Sequence, residues 1–167
     1  QVIIENKNGT EALSARIFID CTGDADLASM AGVQMQPDEG PLQPLSSYFI
    51  LGGVNIGTPM MQEAIRHNKQ GENCHCLPVR EKLLERKEEL GIPEFGGPWF
   101  CRTGQDGVVT VNMTRTAGNA IDNRDFVRAE CILREDAFRM AKLLKDNFEE
   151  FKDSYLFAVS VQGGIRE

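Results

Sequence analysis

Two rhythms of apolar and polar positions run along the chain, steps of two that predict strands and steps of three and four that predict helices. At the start, "QVIIE" and "LSARIFID" are β-branched and apolar and flank "NKNGTEA". The Asn8-Gly9 pair there supplies the positive φ angles of a hairpin turn. The run Ile17-Phe18-Ile19 reads as a strand buried on both faces, and a short helix follows from Asp24 to Ala31, closed by Gly32.

A second region opens near Gln34, where "QMQPDEGPLQP" concentrates proline and polar residues as a linker does. "SSYFILGGVNI" predicts a strand. Thr58 and Pro59 cap and start a helix that Gly71 stops. Beyond "ENCHCLP", the stretch "PVREKLLERKEELG" predicts one charged helix ended by Gly91 and Pro93, with Glu and Lys or Arg at helical spacing on a solvated face. "PWFCRT" and "GVVTVNMTR" are two strands joined by the hairpin signal "GQDG".

The longest element spans Arg124 to Lys152. Phe126, Ala129, Leu133, Ala137, Met140, Leu144, Phe148 and Phe151 recur at steps of three and four and form one apolar face. "SYLFAVSVQGG" is a last strand. The expected fold class is α+β, a mixed or antiparallel sheet with flanking helices. The expected parts are residues 1–33, an inserted domain over 34–153, and a returning strand over 154–167. Cutting such a sheet from its neighbours exposes strand edges at 13–20 and 155–162, which favours a homodimer or strand-paired assembly.

Composition narrows the function classes. With 41% hydrophobic and 26% charged residues, the chain has the makings of a packed core and is neither fibrous nor disordered. A net charge of −7 argues against nucleic acid and against an acidic membrane surface as partners. No apolar run is long enough to span a bilayer, and the amino terminus lacks a signal-like pattern. Cys21, Cys74, Cys76, Cys101 and Cys131 form no disulfide framework, which fits reduced thiols in a cytoplasmic protein.

The turn "CTGDADL" has the outline of a nucleotide-binding crossover but carries Asp24 and Asp26, which repel a pyrophosphate. Simple capping by those aspartates is one reading. The other is close backbone approach to a nucleotide at Thr22-Gly23, with a ribose hydroxyl donating to a carboxylate. Arg115 and Arg166 suit carboxylate or carbonyl oxygens through a planar fork, against ion pairing with Asp122, Asp125 or Glu167. Asn112 and Thr114 alternate with Met113 and share a face with this candidate substrate surface. Trp99 and Phe100 either stack on a planar ligand or pack beneath "FGGP". "CHC" at 74–76 has neither the spacing nor the partner motif of a zinc site, and no metal is expected. No histidine sits in a motif that marks a catalytic base.

Four segments in order carry a resemblance. "IDCTGDADLASMAG" resembles the "ATGDGDLAxxAG" segment of a family of FAD-dependent oxidoreductases with a two-dinucleotide-binding-type flavin domain. "LQPLSSYFILGGVN" is similar to the strand that leads into that family's inserted domain. "VTVNMTRTAGNAIDNRDFVRAE" resembles its "VNxTRxxGxDxxDxxDLTxAE" block, and "GGIRE" the start of "GIRE(T/S)RRI". Cys21 stands where the family usually has Ala, and Ala25 where it often has Gly.

The resemblance implies a flavoprotein whose bound FAD transfers hydride or electrons to or from a small organic substrate. It implies FAD-side roles for Thr22, Gly23, Asp24 and Arg166, and substrate-side roles for Asn112, Thr114 and Arg115. The chain has no GxGxxG, the turn that binds the FAD pyrophosphate. It therefore reads as an internal fragment, a remnant of the FAD-binding α/β domain plus the substrate or cap domain, expected to be inactive and to bind no FAD alone. The alternative is a self-contained α+β binding or interaction module without catalysis.

Overall fold

The computed structural model describes residues 1–23, 25–35, 43–69, 77–92, 97–120 and 122–165. The chain folds as two compact units, Gln1–Glu39 and Gly40–Glu167.

In the first unit β1 (Val2–Asn6) and β2 (Gly9–Leu13) pair antiparallel. Asn6 lies opposite Gly9, so the tight turn is Lys7-Asn8, one residue earlier than expected. The Asn8 N–H donates to Asn6 Oδ1 at 2.7 Å, a side-chain mimic of a backbone turn.

The second strand is thus "GTEAL", not "LSARIFID". Residues 17–19 form no strand, and Ile17 and Ile19 are 78% and 81% exposed. A strand buried on both faces needs a neighbour along each edge. The described residues of this unit offer only a two-stranded hairpin closed on itself.

Helix α1 (Asp26–Met30) begins two residues later than predicted, because Ala25 sits in the left-handed region at φ 56°. Its end is as expected. Gly32 donates to Ser29 C=O at 3.0 Å and Val33 to Ala28 C=O at 3.1 Å, the paired bonds of a Schellman cap.

The second unit is built on an antiparallel sheet in the order β4-β5-β3-β6, from β3 (Tyr48–Gly52), β4 (Trp99–Arg102), β5 (Val109–Asn112) and β6 (Tyr155–Val159). All four strands fall where their apolar runs predict them. β6, within residues 154–167, pairs with β3 and forms one edge. Alternation sends Phe49, Leu51, Phe100, Val109 and Val111 into the core.

Helix α5 (Asn123–Asn147) covers that face with the predicted stripe, of which Ala137, Met140 and Leu144 are fully buried in the main core. Asp122 caps it, its Oδ1 accepting from the Arg124 N–H at 2.9 Å. The helix stops at Asn147 rather than Lys152: Phe148 turns extended and a short 3-10 turn (Glu149–Phe151) follows. That turn drops Phe151 into the core, 5.4 Å between ring centroids from Phe100.

Helix α2 (Pro59–Lys69) starts at the predicted Thr58-Pro59; its expected stop, Gly71, lies outside the described residues. The charged stretch is two helices, α3 (Leu77–Leu84) and α4 (Lys87–Leu90), not one. Tertiary anchoring to α5 overrides helix propensity at the break. Arg86 Nη1 donates to Asn147 Oδ1 at 2.7 Å, and Arg139 Nη1 to the Leu90 carbonyl at 2.9 Å. Among the described residues the fold is α+β, with two antiparallel sheets and five α-helices.

Candidate functional site

The sheet of the second unit has one face in the core and the other open. Register places Trp99, Asn112 and Tyr48 in one row across three strands of the open face. Cys101, Thr110, Ile50 and Ala158 make the next row. Tyr155 lies across Gly52, with Phe157 6.5 Å from it between ring centroids. Tyr48, Tyr155 and Phe157 are 46%, 56% and 58% exposed, an unusual concentration of aromatic surface.

Arg115 closes the Trp99 end of this face. Its guanidinium carbon lies 5.3 Å from the Trp99 ring centroid, in the range of a cation–π contact. Its Nη1 donates to Asn112 Oδ1 and to the Thr114 carbonyl, both at 2.5 Å. A cation is thereby held against an aromatic ring and tied to an amide, a nearly buried cluster at the edge of this face. Of the carboxylates weighed as ion-pair partners, Glu167 lies outside the described residues, Asp122 caps α5, and Asp125 pairs with Arg128 at 2.7 Å. That pairing, followed by the Asn119 N–H, holds the Asp125 carboxyl below its usual range.

The expected substrate-side residues divide. Asn112 and Arg115 meet. All three are buried, Asn112 and Arg115 at 6% and 9% exposure; Thr114 does not join the other two, its hydroxyl being engaged on both sides by the backbone of Ser47. Trp99 joins the cluster and Phe100 goes to the core. Tyr48 was missed, although the alternation of "SSYFIL" around the buried Phe49 could have placed it opposite the core.

In the first unit the turn is organised by Asp20, a residue the spacing argument passed over. Asp20 Oδ1 accepts from the Thr22 N–H at 2.9 Å and from its hydroxyl at 2.8 Å, and Oδ2 from the Ala28 N–H at 2.8 Å. Thr22 Oγ1 in turn accepts from the Asp26 N–H at 3.0 Å. These bonds, the Thr22 N–H first, hold the Asp20 carboxyl below its ordinary value. The Asp26 and Ala28 N–H groups at the start of α1 are thus taken by side chains of the turn itself, where a phosphate would otherwise sit. An Asp two residues before a Thr is the local signal that was available.

Gly23 has φ 97°, and among the described residues, its chain neighbours aside, nothing stands within 4 Å of where its Cβ would be. Backbone conformation alone demands glycine there. Asp24, Arg166 and the "CHC" stretch lie outside the described residues. Among the described residues no group of three His, Cys, Asp or Glu is placed to hold a metal, and no helix is long and apolar enough to cross a membrane.

Over residues 1–167 the sequence matches the family model described as FAD dependent oxidoreductase. No curated protein and no solved structure matches it. The family match spans both the Asp20–Asp26 turn and the segment from β5 to Arg115, and the chain belongs to the FAD dependent oxidoreductase family.

Proposed function

We propose that these 167 residues form the substrate-facing part of a longer FAD-dependent oxidoreductase, with 1–33 belonging to its flavin domain and 34–153 as its inserted substrate domain, whose sheet is completed by β6 of the returning segment 154–167. The observation that carries this is Arg115 held beside Trp99 by Asn112, at the end of a sheet face lined by the exposed Tyr48, Tyr155 and Phe157. Such a surface suits a small organic substrate with a planar apolar part and a carboxylate or carbonyl oxygen.

Bound FAD supplies a two-electron acceptor and donor, and the polypeptide supplies binding and orientation. The turn at Thr22-Gly23 suits a neutral, hydroxyl-bearing part of FAD. It does not suit the pyrophosphate, because Thr22 and Asp20 already hold the Asp26 and Ala28 N–H groups at the start of α1. Without a GxGxxG, the chain alone is expected to bind FAD negligibly.

The test is expression of the full reading frame, its visible spectrum, and an anaerobic screen for small carboxylic and carbonyl compounds that bleach the flavin. Stoichiometric flavin, with bleaching that weakens on changing Arg115, is the expected result. A full-frame protein without flavin, or one whose bleaching ignores Arg115, overturns the reading.

A further inference from the structure

The direction in which Arg115 points is not what its strand dictates. Tyr48 lies opposite Asn112 and Phe49 opposite Val111, so an unbroken ladder would bring Leu45 opposite Arg115. Instead Leu45 lies opposite Thr116, with the Leu45 N–H donating to Thr116 C=O at 2.8 Å and the Thr116 N–H to Leu45 C=O at 3.0 Å. Ser46 and Ser47 thus face Met113, Thr114 and Arg115, two residues against three. This is a β-bulge, a device that re-aims side chains.

Strict alternation from Asn112 on the open face would send Met113 to the core, Thr114 to the open face and Arg115 to the core. Met113 does enter the core. After it the order is broken: Thr114 is fully buried, and Arg115 returns to the side of Asn112 and Trp99. Without the extra residue a guanidinium would be directed into an apolar interior, where an unpaired charge costs several kcal/mol.

A bulge leaves backbone groups of the facing strand without ladder partners, and here those groups are the N–H and C=O of Ser47. Thr114 Oγ1 accepts from the Ser47 N–H at 2.8 Å and donates to the Ser47 C=O at 2.8 Å, so one hydroxyl replaces the missing backbone pair. Ser46 turns the other way and pairs with Gly164, its N–H donating at 3.2 Å and its C=O accepting at 2.6 Å. The Thr114 carbonyl also receives Arg115 Nη1.

We propose that Thr114 is a positioning residue, its hydroxyl fixing the bulge that turns Arg115 out of the core side and onto Trp99. The consequence for substrate rests on the function proposed above; the positioning itself does not.

Trp99 is the chain's single tryptophan, so its ring current reports on Arg115. The experiment is the side-chain Nε–Hε resonance of Arg115 in the 167-residue chain, assigned by its loss in Arg115→Lys. The resonance is expected upfield in the natural chain and in Thr114→Ser, and shifted to the ordinary arginine position in Thr114→Val. Thr114→Cys replaces the valine variant if far-UV circular dichroism shows that variant unfolded. An upfield resonance retained without the hydroxyl, or lost in the serine variant, overturns the proposal.

In the flavin-loaded full-frame protein, Thr114→Val should raise KM at least tenfold with kcat changed less than threefold, and Thr114→Ser should restore it. Failure of the flavoenzyme reading appears as absent flavin with the resonance result intact. Failure of the positioning appears as an unmoved resonance whatever the flavin content.

Discussion

Asp20 Oδ2 accepts the N–H of Ala28 at 2.8 Å, across eight residues and over the start of a helix. Together with the Thr22 bonds to Oδ1, this makes one carboxylate the fastener of the whole turn.

The folded-state pKa of Asp20 lies below the 3.8 of a free aspartate. The unfolded chain therefore binds its proton first as pH falls. Stability from Asp20 is fully present above the unfolded value and is lost as pH drops below about 4 and through the folded pKa. The Ala28 amide resonance should titrate in that acid range, with a midpoint below that of a model aspartate, and the titration should vanish in Asp20→Asn. An Ala28 amide that stays put between pH 6 and pH 2 would refute the assignment.

Ala25 is the described non-glycine residue with positive φ, at 56°. An L-residue there costs about 1–2 kcal/mol, part of which glycine's larger unfolded-state entropy cancels. Ala25→Gly should thus stabilise the α1 turn by about 0.5–1 kcal/mol, read as slower amide exchange at Ala28 and Ser29. The resembling "ATGDGDLA" pattern has glycine at this position, and the backbone gives the physical reason.

Two adjacent glycines should answer substitution differently. A Cβ on Gly52 would lie 2.5 Å from Cζ of Tyr155, an exposed ring that can swing away. A Cβ on Gly53 would lie 2.6 Å from the Asp153 carbonyl oxygen, and φ there is 72°. Gly53→Ala should cost about 2–4 kcal/mol, since neither the conformation nor the backbone neighbour can yield. Gly52→Ala should cost about half as much or less. Urea denaturation of both variants settles the order.

What was legible in the sequence was what local chemistry decides. The stripe of α5 and the alternation that sends Phe49, Leu51, Val109 and Val111 inward follow from period alone, because one face of each element meets the core. The Gly32 cap was equally readable.

The misreadings at residues 17–19 and at Thr114 share a cause in long-range pairing. Ile17 to Ile19 looks like a central strand, but an apolar run carries no information on whether neighbours exist to bury it. Thr114 looks like a surface partner of Asn112 until the bulge, set by Leu45 pairing with Thr116, moves it inside. Arg115 was readable as a residue type suited to oxyanions; its aim depends on one extra residue in a ladder spanning 71 positions of sequence, from 45 to 116.

That aim gives the last expectation. Lysine at position 115 keeps the charge but loses the delocalised guanidinium beside Trp99, with the Nη1 that donates to both Asn112 Oδ1 and the Thr114 carbonyl and the further N–H groups of the fork. If the open face holds an oxyanion-bearing substrate, Arg115→Lys in the flavin-loaded protein should raise KM about tenfold, equivalent to about 1.4 kcal/mol of binding. Arg115→Gln, which removes the charge as well, should raise it about a hundredfold or more. The flavin spectrum should be unchanged in both. Anaerobic reduction kinetics across a substrate series would show the loss concentrated on carboxylate-bearing compounds. A loss equal for charged and neutral compounds would instead place Arg115 in the scaffold that holds Trp99 and Asn112, with no direct part in binding.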